Sequence, residues 1–247
     1  MPSHVALGPV ARAAKQCQRC FKSEVEVGHL LSCGGCHSAH YCNKECQTID
    51  WPNHKPLCKI NRDTRAHVKA LTASEVADSS SSVRVGPSLL DIEDALKPWR
   101  QIHRPMVVWA HSQALDLYHH PKNVDKQILV LKLTPAFTER PPRTADQAKT
   151  FHLEFAEVMS YEDAIEDWKD LPVYQPLITQ LGPIQALSQR IQGQGGTGVG
   201  LVVLLIARRC VHVMPCGHPD DLTTSPQLYR PDWEERLADI FRRGIRI

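Results

Sequence analysis

No stretch of this sequence stays apolar long enough to cross a membrane as a helix. The most hydrophobic run, Val199 to Ala207, falls far short of the ~20 residues a spanning helix needs. A strong charge of one sign is missing as well. Twenty-nine Lys and Arg stand against 27 Asp and Glu, for a net charge of +2, so the chain as a whole exerts no long-range pull on nucleic acid or on a membrane surface. The opening Met1-Pro2-Ser3-His4 lacks a cationic start followed by an apolar core, and it reads as a short tail and not as a secretory signal. Without such a signal a disulfide framework is not expected, and the compartment that fits is a reducing one, nucleus or cytoplasm.

What the chain does have is cysteine at metal-ligand spacing. Cys17-x2-Cys20, Cys33-x2-Cys36, Cys42-x3-Cys46 and His54-x3-Cys58 place eight soft donors in 42 residues. Zn²⁺ favours a tetrahedron of thiolate and imidazole, so eight donors close two structural sites with no open position. The two-residue spacings suit tight knuckles that aim both sulfurs at one ion, with Gly34 and Gly35 serving the turn of the second. The four-residue spacings suit one helical turn, which sets both side chains on one face. A disulfide scheme for these seven cysteines would leave one sulfur odd. Spacing alone permits two pairings of the ligands, sequential or interleaved.

The segment resembles the MYND-type zinc finger. All eight ligand positions match, together with Tyr41 before the fifth ligand and Gln47 and Trp51 after the sixth. The resemblance covers about a sixth of the chain. It implies two cross-braced structural Zn²⁺ ions, one held by Cys17, Cys20, Cys42 and Cys46 and the other by Cys33, Cys36, His54 and Cys58. It also implies a protein-interaction module that binds proline-containing peptides of the Pro-x-Leu-x-Pro kind, with Gln47 and Trp51 lining the groove. Tyr41 and Ile49 are expected to pack in the core. Related fingers also occur in SET-domain lysine methyltransferases, but this sequence has no Asn-His-x-Cys-x-Pro-Asn segment after the finger. The expectation is therefore an adaptor or transcriptional co-regulator that is not an enzyme, with proteins as partners and neither nucleic acid nor membrane. The alternative is an enzyme whose active site lies in the C-terminal region.

Charge supports the metal reading. Residues 12–69 carry ten Lys and Arg and five Asp and Glu, a surplus of +5. Seven thiolates and two Zn²⁺ contribute −7 + 4 = −3, so the loaded finger stands near +2 and its basic residues mostly offset the thiolate field.

The predicted organisation has four parts: a tail over 1–16, the finger over 17–58, a helix and Ser-rich linker over 59–87, and a domain over 88–247. The fold class is α+β, a small cross-braced two-zinc finger followed by a mixed α+β domain. Val25 and Val27 alternate with glutamates as in a short strand. Asn43 is placed to cap a helix that Pro52 should break. Ser88 and Asp91 form a capping box ahead of Leu89, Ile92, Leu96 and Trp99. Pro105 suits the start of another helix. Strands are expected over 127–133, 151–155, 199–206 and 210–214. Helices are expected after Ser160, over 177–191 with an interruption at Gly182-Pro183, and from Pro231 to Gly244.

Three further patterns are read as structural. Gly193-x-Gly195-x2-Gly198 matches a dinucleotide-binding fingerprint in form, but that mechanism needs a strand before and a helix after, and here the order is reversed. Cys210, His212, Cys216 and His218 have the spacing of no common zinc knuckle. His111, His119 and His120 have no placed partner that would make them general bases.

Overall fold

The computed structural model describes residues 15–20, 22–37, 39–78, 86–139, 141, 145–171, 174–207 and 210–246. Residues 1–14 of the expected tail and residues 79–85 of the expected Ser-rich linker lie outside them. Two compact units divide the chain: Met1–Pro105 with Phe137–Thr150 and Ile245–Ile247, and Met106–Ala136 with Phe151–Gly244.

The first unit begins with a short helix, α1 (Glu24–Val27), where the alternating valines suggested a strand. A capping box decides the matter: the Glu26 amide donates to Ser23 Oγ, and the Ser23 amide donates to the Glu26 carboxylate at 2.6 Å. Two backbone donors at this helix end are thereby satisfied. Gly28 ends α1 with φ +79°, a conformation glycine adopts without strain. Strands β1 (Leu31–Ser32) and β2 (His40–Tyr41) pair antiparallel, the hairpin expected around the second knuckle.

From there α2 runs unbroken over Lys44–Asp78. Asn43 caps it, its Oδ1 accepting from the Cys46 amide at 2.8 Å. Pro52 does not break the helix as expected. A proline inside a helix removes one hydrogen bond and costs about 3 kcal/mol. Here Cys46, His54 and Cys58 lie on both sides of it and belong to ligand clusters, so tertiary constraint outweighs the local cost. The next helix, α3 (Leu89–Ala114), likewise continues through Pro98 and Pro105, where two helices were expected. Trp99, Ile102, Val107 and Ala110 are all buried on either side of Pro105, which gives the packing that carries it through. Its capping box is formed, with the Asp91 amide donating to Ser88 Oγ at 3.2 Å.

The second unit is built on one sheet in the order β4-β3-β5-β6, from β3 (Gln127–Pro135), β4 (Phe151–Ser160), β5 (Gly198–Ile206) and β6 (Cys210–His218). The inner strands β3 and β5 pair parallel, and both outer pairs are antiparallel. Position explains composition: β5 is buried at every position but Leu205, and β3 buries Ile128 to Leu131 and Leu133, as aliphatic central strands covered on both faces do. The edge strand β4 is buried at Phe151 and exposed at half of its ten positions. Helix α4 (Tyr161–Trp168) starts at the Ser160 cap, α5 (Gln175–Gln192) passes Gly182 and Pro183 without interruption, and α6 (Trp233–Arg243) ends at Gly244 with φ +65°. On α6 the side chains of Leu237 and Phe241 are fully buried, one helical turn apart on a single face.

The glycine run joins α5 to β5, opposite to the order a dinucleotide site needs. Gly196 is required by space, because a Cβ there would stand 2.5 Å from the Pro219 carbonyl oxygen. Thr197 then ties the loop down, its amide donating to the carbonyls of His218 and Asp220 and its hydroxyl to the carbonyl of Asp220. Among the described residues no helix is long and apolar enough to cross a membrane.

Candidate metal centre

Eight ligand residues converge into two clusters. Cys17, Cys20, Cys42 and Cys46 form one, and Cys33, Cys36, His54 and Cys58 the other, each with its donor atoms within 4.8 Å of one another. The pairing is interleaved along the chain: the first knuckle meets the fifth and sixth ligands, and the second knuckle meets the last two. Cross-bracing of this kind ties the start of the segment to α2. It is the arrangement the resemblance implied and spacing left open.

Local structure delivers each ligand. Cys17 and Cys20 flank a turn closed by the Cys17 amide donating to the Lys22 carbonyl. The second knuckle turns over Cys33–Cys36, with the His37 amide donating to the Cys33 carbonyl and His37 itself at φ +57°. Gly34 and Gly35 do not adopt left-handed conformations there. Gly35 matters for room, since a Cβ would sit 3.0 Å from Cys58 Sγ, whereas Gly34 faces open space. Cys42 precedes α2 and Cys46 lies in its first turn, so the cap at Asn43 sets their approach. His54 and Cys58 lie one turn apart on α2 itself.

The dimensions suit zinc. Zn–S bonds of ~2.3 Å in a tetrahedron imply sulfur separations of about 3.8 Å. Cys33 and Cys58 sulfurs lie 3.8 Å apart and Cys36 Sγ is 3.6 Å from His54 Nε2, while the Cys20 and Cys42 sulfurs stand closer than a loaded tetrahedron would hold them, at 3.2 Å. None of the nine cysteines is engaged in a disulfide. Burial and the crowding of neighbouring sulfurs push Cys42 and Cys58 up to about 12 and Cys46 to about 11. Burial also acts to raise Cys17, but backbone N–H groups of Cys20, Cys42 and Arg19 outweigh it and bring that thiol down to about 7. A divalent cation would replace the protons such a cluster otherwise retains. The two clusters fit two structural zinc sites, the first with four thiolate donors and the second with three thiolates and one imidazole. Each is saturated by protein donors and leaves no position for substrate.

The residues around the ligands hold the clusters in place. Tyr41 is 1% exposed and donates its hydroxyl to Asp50 Oδ2 at 2.9 Å, while its ring meets His54 edge-on at 5.9 Å. Burial and the Asp50 carboxylate both raise the Tyr41 phenol, so it stays a donor and fixes β2 to α2. Asp50 was missed from sequence; its signal is an acid one residue before Trp51 on the helix face that carries the ligands Cys46 and His54. Lys15 and Glu24 pair at 2.6 Å. Tyr41 packs in the core as expected, but Ile49 does not, being 52% exposed. Gln47 and Trp51, one turn apart on α2, are half-buried and exposed respectively, Trp51 at 41%, with its ring 6.0 Å from that of His54.

Elsewhere, Cys210 and His218 lie at opposite ends of β6, across from Ile206 and Gly198. His218 meets His111, and His119 Nδ1 meets Asp116 Oδ1 at 2.6 Å.

Residues 17–58 match the MYND finger family model. The N-lysine methyltransferase SMYD2 of Gallus gallus is 40% identical over 57 residues, 23% of this chain and 12% of that protein. SET domain-containing protein 14 of Caenorhabditis elegans is 30% identical over 111 residues, 44% of this chain and 22% of that protein. Egl nine homolog 1 of Mus musculus is 42% identical over 55 residues, 22% of this chain and 13% of that protein. The chain thus spans less than a quarter of the length of each. No solved structure matches it. These relatives overturn the expectation that the chain is not an enzyme: proteins sharing this segment include one named as a methyltransferase, so the finger gives no ground for excluding catalysis.

Proposed function

We propose that the MYND finger over residues 17–58 is a docking module that recruits a protein partner, and that the chain serves in the nucleus or cytoplasm as an adaptor or transcriptional co-regulator. Fingers of this type mediate protein–protein interaction, and saturated zinc sites contribute a rigid surface, not Lewis-acid chemistry. The observation that carries the reading is the exposed Trp51 ring set one turn from Gln47 on a helix anchored by Cys46, His54 and Cys58. A Trp face packs on proline rings, and a Gln amide hydrogen-bonds an extended peptide backbone. Gln47 and Trp51 therefore form the contact for a proline-containing segment of the Pro-x-Leu-x-Pro kind, and residues 88–247 form the domain so delivered. The near-neutral finger argues against nucleic acid as the partner.

The test is a binding titration of the zinc-loaded chain against a Pro-x-Leu-x-Pro peptide, with Trp51→Ala and Gln47→Ala. Trp51→Ala should weaken binding by roughly tenfold or more, as loss of a central aromatic anchor does, with zinc content unchanged. Equal affinity in the wild type and both variants would rule the groove out.

A second reading, catalysis by the region beyond the finger, is favoured by the methyltransferase name of the Gallus gallus relative. Transfer of labelled methyl from S-adenosylmethionine to lysine-containing protein would support it, and no incorporation above a no-enzyme control would count against it.

A further inference from the structure

A pair of histidines lies buried in the second unit, remote in sequence from both zinc clusters. His111, in the last turn of α3, is 0% exposed, and His218, the last residue of β6, is 6% exposed. Their rings stack within 13° of parallel at a centroid distance of 5.1 Å. His111 Nδ1 lies 2.9 Å from His218 Nε2. At that distance one nitrogen donates and the other accepts, so the contact holds a single proton. The remaining nitrogen of His111, Nε2, has no hydrogen-bond partner. It rests on Gly200 of β5, where a Cβ would collide with it. Glycine at that position makes the room for the ring.

We propose that His111 and His218 form an acid-sensitive latch, fastening the edge strand β6 to the end of α3 while both rings are neutral and releasing it when either takes up a proton. The chemistry follows from the contact. A proton added to the accepting nitrogen sets N–H against N–H at 2.9 Å and abolishes the bond. A proton added to His111 Nε2 lies beside Gly200, where the described residues provide no acceptor.

Among the described residues, no carboxylate is paired with either ring. Strand β5 has no ionisable residue. Along β6 stand Cys210, His212 and Cys216, and past its end the exposed Asp220 and Asp221. The 3-10 turn Pro121–Asp125, whose Val124 packs on Gly200 beside the ring, carries exposed Lys122 and Asp125. The Asp125 carboxylate accepts from Ser188 and Gln192 of α5, whose last turn also holds Arg190. At the end of α3, Asp116 is engaged with His119. Burial holds both rings well below the ordinary imidazole range, and the neighbouring His218 lowers His111 further.

The sign of the pH dependence is fixed. In the folded unit both rings stay neutral, whereas in the opened chain each protonates near ~6.5. Stability is therefore fully present above about pH 7 and is lost as pH falls below the unfolded value. Each ring that charges only on opening makes the opening constant rise roughly tenfold per pH unit, so the pair gives up to about a hundredfold per unit between about pH 6 and 5.

The experiment is hydrogen exchange read by mass spectrometry on the zinc-loaded full chain from pH 7.5 to 5, following peptides over 198–218 and correcting for intrinsic exchange. Zinc release is measured in parallel, so finger opening is scored separately. Wild type should lose protection at up to about a hundredfold per pH unit below pH 6, and His218→Gln at about tenfold less per unit. Equal slopes in the two proteins would overturn the latch. Should His218→Gln fail to fold, NMR titration of the wild-type imidazoles decides. Neither ring should titrate before protection over 198–218 is lost, and a ring that titrates near ~6.5 with protection intact refutes the proposal.

Discussion

The finger and the four-stranded sheet solve the same problem by opposite means. Among the described residues of the finger, four of the seven in the buried cluster are cysteines, and the others are Leu30, Ala39 and Tyr41. In the sheet, β3 buries Ile128 to Leu131 and Leu133, and β5 buries its aliphatic side chains at every position but Leu205, each worth roughly 1.5–3 kcal/mol when fully removed from water. A segment of forty-odd residues cannot enclose enough apolar surface to fold on that basis. Cations bridging the two ends of the segment replace it, whereas the sheet needs none. The difference teaches where each region is fragile: the finger at its donors, the sheet at its volumes.

Removing one donor should break the comparison most sharply. Cys33→Ser is expected to forfeit a zinc site, with on the order of 10 kcal/mol of metal-linked folding free energy at stake, and to unfold the finger while the sheet keeps its amide protection. Collapse of both regions together, read by hydrogen exchange, would show that they do not stand apart.

A smaller effect tests the other side. Gly200→Ala drives a methyl into the His111 ring and should cost about 3 kcal/mol of sheet stability, the upper range for overpacking. Bound zinc should remain at the wild-type level. Denaturant unfolding monitored at Trp233, after the other four tryptophans are replaced by Phe, reads the first quantity, and metal analysis reads the second. Least of all, Asn43→Ala removes the α2 cap and should cost about 1 kcal/mol. That loss should appear as faster zinc release to a chelator, with sheet stability unchanged.

The same contrast explains what sequence reading could reach. Ligand spacing is a local code, and the eight donors with their knuckles could be read from residue numbers alone. Their cross-braced pairing is not local, and it entered through resemblance before the clusters of the structure displayed it. In the sheet, apolar runs marked β3 and β5 because a strand buried on both faces has a simple composition. The reach of β4 to Ser160 and of β6 to His218 was underread, because edge strands mix polar and apolar residues. Prolines misled three times, at Pro52, Pro105 and Pro183. Each carries a local penalty, which ligand clusters on both sides outweigh at Pro52 and buried packing on both sides outweighs at Pro105. At α1 the error ran the other way: two valines two residues apart imitated a strand, while Ser23 and Glu26 already spelled a capping box. The His111–His218 contact joins residues 107 apart in sequence, and no local pattern announces it.

The central claim is that two divalent cations take the place of an apolar interior in residues 17–58. Native mass spectrometry of chain purified without chelator tests it most directly. The mass should exceed that of the apo chain by two zinc ions less the protons they displace, with every cysteine reduced. A chain that is folded over residues 17–58 yet carries no metal, or carries paired disulfides in its place, would contradict it.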